Sequence, residues 1–269
     1  MRFIQAVWLL VALASSPGLG LRLATTTSVY DSGLLDRLLP AFERAMGVRV
    51  EVLAVGTGQA LRLAERGDVD AVLVHAPDLE GEALERGIIA QPFCLAQNSF
   101  LLVGPKGDPA RIREAGDVLE ALRRIARAQA PFVSRGDRSG THLKELELWR
   151  KAGLTPEGGW YLESGAGMGQ TLVLAAEKGA YTLSDLATYL TVGRKQGLEA
   201  LYRREDPLLL NQYTYYLVPQ GAKAEEAEAL RRFLATEEAA RLVEGLRVEG
   251  TPLFKPLRGR CIIPRGGGR

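Results

Sequence analysis

Cysteine and histidine are almost missing from this chain: its 269 residues include two of each, Cys94 and Cys261, His75 and His142. So few, so scattered, they do not supply the closely spaced ligands of a Cys/His zinc site, and no protein-held metal is expected. Charge of one sign is also lacking. Lys and Arg number 34 against 32 Asp and Glu, a formal net charge of +2. No basic tract stands out, which excludes a nucleic-acid surface. There is no internal repeat, and no low-complexity stretch beyond the Gly-rich last residues, which are expected to fray. Ser139 and His142 have the residue types of a hydrolase, but no strand–Gly-x-Ser-x-Gly elbow or placed acidic partner accompanies them. What remains, 46% apolar and 25% charged residues, is the composition of a globular protein. The length suits two lobes of about 100–150 residues.

The one apolar run of note opens the chain. Arg2 precedes Phe3–Ala14, and small and turn-forming residues follow to Gly20. A positive start, a short apolar stretch and a small-residue cleavage region describe a secretory signal peptide over 1–20, too short to span a membrane comfortably. The cut falls after Ala14 or after Gly20. Neither has a cysteine nearby, so a lipid anchor is not expected, and a periplasmic location is. In that oxidising compartment Cys94 and Cys261 either form a disulfide or stay as two buried thiols.

From Leu21 onward, strands and helices alternate. Leu21–Thr26 reads as a strand and Ser32–Met46 as a helix with Pro40 expected to kink it and Gly47 to stop it. Val48–Val55 alternates as a strand with one buried face, and Gly56-Thr57-Gly58 turns into a helix ending at Gly67. Ala71–His75 is a buried strand. The pattern continues through a helix at Leu79–Arg86, strand segments over Ile88–Val103, a helix at Val118–Ala128 and a strand at Phe132–Ser134. Helices follow at Thr141–Lys151, Gln170–Lys178 and Ser184–Leu190, with short strands at Trp160–Glu163 and Ala180–Leu183. A long strand, Leu208–Val218, precedes helices Ala224–Leu234 and Glu237–Glu244. Such alternation argues for an α/β fold with largely parallel sheets. Gly104–Pro109 and the stretch after Pro207 look like crossovers between lobes. Lobe 1 is expected from 21–104 and 211–269, the latter carrying the C-terminal tail, and lobe 2 from 105–210. A ligand cleft would lie between them, and closure would hinge near Gly104–Pro105 and Leu210–Gln212.

Four strand-to-helix junctions are rich in hydroxyls or glycine: Thr25–Ser28, Gly56–Gln59, Arg135–Thr141 and Gly165–Thr171. The first N–H groups of a helix lack internal partners, and the aligned peptide dipoles favour negative charge there. Glycine lets the backbone approach a ligand, and Ser and Thr add donors without charge. Any one of these junctions is an ordinary helix cap or turn. Four of them, two per lobe, point to anion capture, because nanomolar binding needs about 12 kcal/mol net and each bond to a charged group supplies about 1.5–3 kcal/mol.

Thr25-Thr26-Thr27-Ser28 followed by Asp31-Ser32-Gly33-Leu34-Leu35, and Ser134 to His142 followed by Lys144-Glu145, closely resemble the two signature stretches of the periplasmic tungstate-binding proteins of ABC importers. The resemblance covers essentially all of the chain after Gly20, including Ala180–Asp185 and the strand through Asn211 and Tyr213. It implies a two-lobed type II periplasmic-binding-protein fold, each lobe a mostly parallel sheet flanked by helices, closing on one tungstate or molybdate oxyanion. It also implies a membrane permease and its ATPase as partners, and no cofactor or catalysis; the receptor is expected to be a monomer. By the matching motifs the ligand contacts are Thr27, Ser28, Thr57, Arg135, Ser139, Gly140 and Thr141. Gly169, beside Met168, is added from position and composition. Asp137 is read as ordering the loop, His142 as lying beside the ligand loop or solvated, and His75 as a satisfied core residue. Phosphate receptors share the Arg-x-Asp-x-Ser-Gly-Thr core, here Arg135 to Thr141, so a receptor for another oxyanion is the alternative. A sensory domain and a hydrolase are more distant ones.

Overall fold

The computed structural model describes residues 20–262. The expected signal segment, Gly20 apart, and the Gly-rich end lie outside the described residues. The chain opens with β1 (Leu21–Thr26), α1 (Thr27–Asp31), α2 (Leu34–Met46), β2 (Val50–Val55), α3 (Thr57–Glu65), β3 (Ala71–Val74) and α4 (Pro77–Glu85). The long β4 (Ala90–Gly104) follows, then α5 (Val118–Ala128), β5 (Phe132–Ser134), α6 (Gly140–Lys151), β6 (Tyr161–Glu163) and α7 (Met168–Lys178). The remainder is β7 (Thr182–Asp185), α8 (Leu186–Thr191), β8 (Glu199–Tyr202), β9 (Leu210–Leu217), α9 (Ala224–Leu234), α10 (Glu237–Glu244), β10 (Arg247–Val248), β11 (Thr251–Pro252) and β12 (Lys255–Pro256).

The main sheet runs β12-β4-β9-β3-β1-β2. β1 pairs parallel with β2 and β3, while β9 is antiparallel to β3 and β4. At its far end β4 pairs antiparallel with β7 and β8, and β5 and β6 form a separate parallel pair. The architecture is two-lobed α/β, with mixed sheets: parallel where a helix returns each strand, antiparallel where β4 and β9 carry the chain between lobes. β4 is about 50 Å long at ~3.4 Å per residue. It changes partner between Ser99, opposite Leu210 of β9, and Phe100, opposite Asp185 of β7. That change lies ahead of Gly104, where the strand ends.

Period-two alternation explains why both sheet faces are covered. Leu21, Leu23, Ala71 and Leu73 pack into the core with α2 and α9, through Phe42, Leu38 and Phe233. Ala24, Val72 and Val74 point the other way, to Leu61 and Ala83 of α3 and α4. Along β4, Phe100 and Leu102 join Trp149, Leu122 and Tyr181 in a core belonging to the second lobe. Helix ends follow local chemistry. Gly47 stops α2 in the left-handed region (φ 68°), and Asp117 caps α5 by accepting the Glu120 N–H.

Pro40 lies inside α2, and the helix runs on through it to Met46. Both Pro40 and Asp36, whose carbonyl loses its N–H partner, face solvent, where water can take the missing bond. Ser184 and Asp185, expected to open a helix, complete β7, and the Asp185 side chain caps α8 through the Thr188 N–H. Cys94 and Cys261 form a disulfide, Cα atoms 5.2 Å apart, that ties the tail beside β4. No described helix is long and apolar enough to cross a membrane.

Candidate ligand-binding site

The parallel strands β1, β2 and β3 bring their C-terminal ends to one edge of the main sheet, and each feeds a helix there. β5 and β6 do the same in the second lobe, feeding α6 and α7. Ligand chemistry in open α/β sheets gathers at such edges.

The loop Arg135–Ser139 is held by its own polar groups. Arg135 is 2% exposed; its Nη2 donates to Asp137 Oδ2 at 2.5 Å. Asp137 Oδ1 accepts the Ser139 N–H at 3.1 Å, and Ser139 Oγ caps α6 by accepting the His142 N–H. The loop-ordering role expected of Asp137 is therefore present, and its carboxyl is held below the usual carboxylate range by these partners against the opposing effect of burial. His142 is buried rather than solvated, and its Nδ1 accepts the Arg138 N–H at 3.0 Å. Ser139 and His142 do not form a nucleophile–base pair, because neither side chain donates to the other.

The Arg135 fork is only partly used. Its Nε and Nη1, together with Thr57 Oγ1 and Thr141 Oγ1, are buried side-chain atoms with no hydrogen-bond partner. Thr57 and Thr141 sit in the first turns of α3 and α6. An unpartnered buried donor costs about 1–3 kcal/mol, and natural proteins rarely keep one without use. Here such groups stand at helix starts in both lobes.

His75 is the residue that the sequence reading places only in the core. It is 4% exposed and satisfied, as expected, yet it stands at the seam of the lobes. Its Nε2 lies 3.1 Å from both Thr26 Oγ1 and Ser28 Oγ, and its Nδ1 lies 3.1 Å from Asn211 Oδ1 on β9. On the second lobe, Gly140 presses on the ring so closely that a Cβ there would fall 2.8 Å from His75 Cε1. Burial, then the Arg135 charge, lower the imidazole to about 4, with Asn211 opposing. A groove of about 500 Å³ between α4 and α6 reaches this contact. Asp185, also buried, is raised by burial, while Thr188 and Arg135 oppose the rise.

Of the expected contacts, Ser28 is joined to Thr26 and His75, and Gly140 meets His75 across the seam. Arg135 and Ser139 are linked through Asp137. Thr57 and Thr141 are buried with free hydroxyls. Thr27 is exposed, and the buried residues of that cluster are Thr25, Thr26 and Ser28. Gly169, half-buried in the first turn of α7, faces Val192, 3.8 Å from where its Cβ would be.

The family model for the PBP superfamily domain matches residues 12–238. The chain is 42% identical over 242 residues to a tungstate-binding protein, TupA, of Peptoclostridium acidaminophilum, covering 87% of this chain and 84% of that one. It is similar to the crystal structure of the tungstate ABC transporter from Geobacter sulfurreducens at 44% identity and TM-score 0.75, covering 84% of this chain and 97% of that one. The tungstate binding protein TupA of Desulfovibrio alaskensis G20 matches at 37% identity and TM-score 0.76, covering 88% and 98%.

Proposed function

The chain belongs to the PBP superfamily, and from that premise we propose that it is the extracytoplasmic solute receptor of an ABC importer and captures tungstate. The relatives named for tungstate binding cover nearly the whole chain. The observation that carries the reading is a group of buried, unpartnered donors: two nitrogens of Arg135 and the hydroxyls of Thr57 and Thr141, with Asn98 Nδ2 a further such donor on β4. They are all donors, drawn from both lobes, and one is a fixed positive charge. A compact dianion that offers only acceptors suits such groups.

The receptor is no enzyme, and its ligand is an oxyanion rather than a cofactor. The groups that hold it are the Arg135 fork, the Ser28, Thr57, Ser139 and Thr141 side chains, and the first-turn N–H groups of α6 and α7 at Gly140, Thr141 and Gly169. Thr27 contributes through its backbone rather than its exposed hydroxyl. Delivery is to a membrane permease driven by an ATPase subunit. Export by a cleaved signal peptide over 1–20 would bring the receptor outside the cytoplasm, where the Cys94–Cys261 disulfide persists.

Calorimetric titration of the ligand-stripped protein with tungstate tests this directly. One saturable site per chain is expected, with affinity at least as tight as micromolar. No heat and no thermal stabilisation at millimolar tungstate overturns the reading.

A further inference from the structure

We propose that His75 is a positioning residue of this site: a neutral imidazole, protonated on Nδ1, accepts at Nε2 the hydrogen bond of one hydroxyl of the Thr26/Ser28 pair and so aims the other at the bound anion. Its ring edge is the surface of the first lobe on which Gly140 closes. The inference rests on the oxyanion reading above for the ligand, but not for the ring.

The proton's position follows from the groups around it. Asn211 Nδ2 donates to Asn98 Oδ1 at 3.0 Å and to the Tyr213 hydroxyl oxygen at 2.7 Å. These two contacts turn the amide so that its oxygen faces His75 Nδ1. A carbonyl oxygen only accepts, so Nδ1 carries the proton and Nε2 keeps its lone pair. The Tyr213 ring, its centroid 5.0 Å from that of His75, packs against the imidazole. The charge facing the ring is Arg135, which opposes a second proton, and the buried ring is lowered to about 4.

One lone pair then faces two hydroxyls. Thr26 Oγ1 and Ser28 Oγ lie 3.2 Å apart and each is 3.1 Å from Nε2. Thr26 Oγ1 also accepts the Val29 N–H at 3.2 Å, which leaves its proton for the ring and the Ser28 proton for a ligand. Without an acceptor at Nε2 the two hydroxyls satisfy each other, and neither is aimed. The same ring connects this corner to the paired residues Asn98 and Asn211, on the two strands that pass between the lobes. An anion held by Ser28 therefore pulls on a group anchored at the crossover.

Two measurements test this. The chain has only two histidines, so long-range proton–nitrogen NMR of the full ligand-stripped protein assigns the ring by comparison with a His142→Gln sample. The expected result is an Nδ1–H tautomer with a bare Nε2 at neutral pH. An Nε2–H tautomer or an imidazolium overturns the proposal, and neither result depends on which anion binds. The second is a double-mutant cycle on tungstate affinity. His75→Asn keeps a donor toward Asn211 and lacks the ring acceptor; it and Ser28→Ala should each weaken binding about tenfold or more. The double variant should be no weaker than the worse single one, because both changes remove the same aimed hydroxyl. Additive losses, or wild-type affinity in His75→Asn, overturn it. Failure of the wild-type protein to bind tungstate would instead sink the oxyanion reading and leave the tautomer result standing.

Discussion

Arg135 joins the polar order of its loop to the proposed anion site. One of its terminal nitrogens is committed to Asp137, and Nε and Nη1 are unpartnered in the interior. Arg135→Ala should weaken tungstate binding by at least about 2 kcal/mol, about thirtyfold, by removing charge-assisted bonds. Arg135→Lys should recover part of that loss, because an ammonium lacks the planar fork. Titration calorimetry reads both, and near-wild-type affinity in Arg135→Ala would show that the guanidinium serves only Asp137. Gly140 has a different use. It begins α6, where alanine is well tolerated, but a Cβ there meets the His75 ring at 2.8 Å. Gly140→Ala should therefore weaken tungstate about tenfold or more, by holding the lobes apart. Unaltered affinity would mean that the contact relaxes without cost. The loop of Arg135 and Ser139–Thr141 was legible in the sequence as a candidate site because a compact loop between a strand and a helix carries its own context. The turn from β1 into α1 was less so. Which of Thr25, Thr26, Thr27 and Ser28 points inward depends on where period two gives way to the helical turn, and Thr26 rather than Thr27 is buried. The contacts of His75 at the seam could not be read, because its partner Asn211 is 136 residues away. The available hint was its place at the end of a parallel strand, just before a helix opened by Pro77.

Most of the helices could be placed from periodicity and caps, and α5, α9 and α10 have the bounds their sequences suggest. Beside short local elements such as α1 and the β10–β11 hairpin, the misses include strands whose stability comes from distant partners. β8 exists because Leu102–Gly104 of β4 pairs with it, and β12 because of its pairing with Ala96 and Gln97 and the nearby disulfide. α6 carries a feature outside the reach of pattern. Glu145, 3% exposed, accepts from Trp149 Nε1 at 3.1 Å and from the Tyr161 hydroxyl at 2.7 Å. Burial pushes its carboxyl up from 4.5 to about 7, and the donors of Tyr161, Ser134 and Trp149 only partly oppose this. The folded protein thus holds this proton more tightly than the unfolded chain. The stabilisation is fully present below the unfolded value, 4.5, and is lost as pH rises through about 7. The difference is about 3 kcal/mol. Glu145→Gln keeps an accepting oxygen and never ionises. It should melt above the wild type at about pH 8, and the gap should narrow toward about pH 5. A gap independent of pH would show that Glu145 is stabilised as a carboxylate.

At the scale of the molecule, the two lobes share β4 and β9, and β4 exchanges β9 for β7 between Ser99 and Phe100, with Leu210 opposite Ser99. A hinge of a few residues on these strands would keep each lobe rigid, so the anion that both lobes reach together is expected to be selected by size. Protonation sets the other half of the selectivity. Tungstate and molybdate are unprotonated dianions at neutral pH and offer only acceptors, which suits Arg135, Thr57, Thr141 and the helix-start N–H groups. Phosphate keeps a proton on much of its population and needs an acceptor for it. The one carboxylate of the loop, Asp137, is already engaged by Arg135 on one oxygen and by the Ser139 N–H on the other. A protonated phosphate would leave a donor unmatched in the interior, at a cost of about 1–3 kcal/mol, and is expected to be too small to engage both lobes as tungstate does. Sulfate has the acceptor pattern but not the size. Tungstate and molybdate should accordingly bind at least about a thousandfold more tightly than phosphate, a gap of about 4 kcal/mol, with sulfate also weak. A ligand at about a thousand times its Kd adds about 4 kcal/mol of folding stability, so melting shifts of the stripped protein with equal concentrations of the four anions rank them. A phosphate shift equal to that of tungstate would mean that Asp137 lets go of Arg135 and turns to the ligand, and that the phosphate receptors are the better guide to this site.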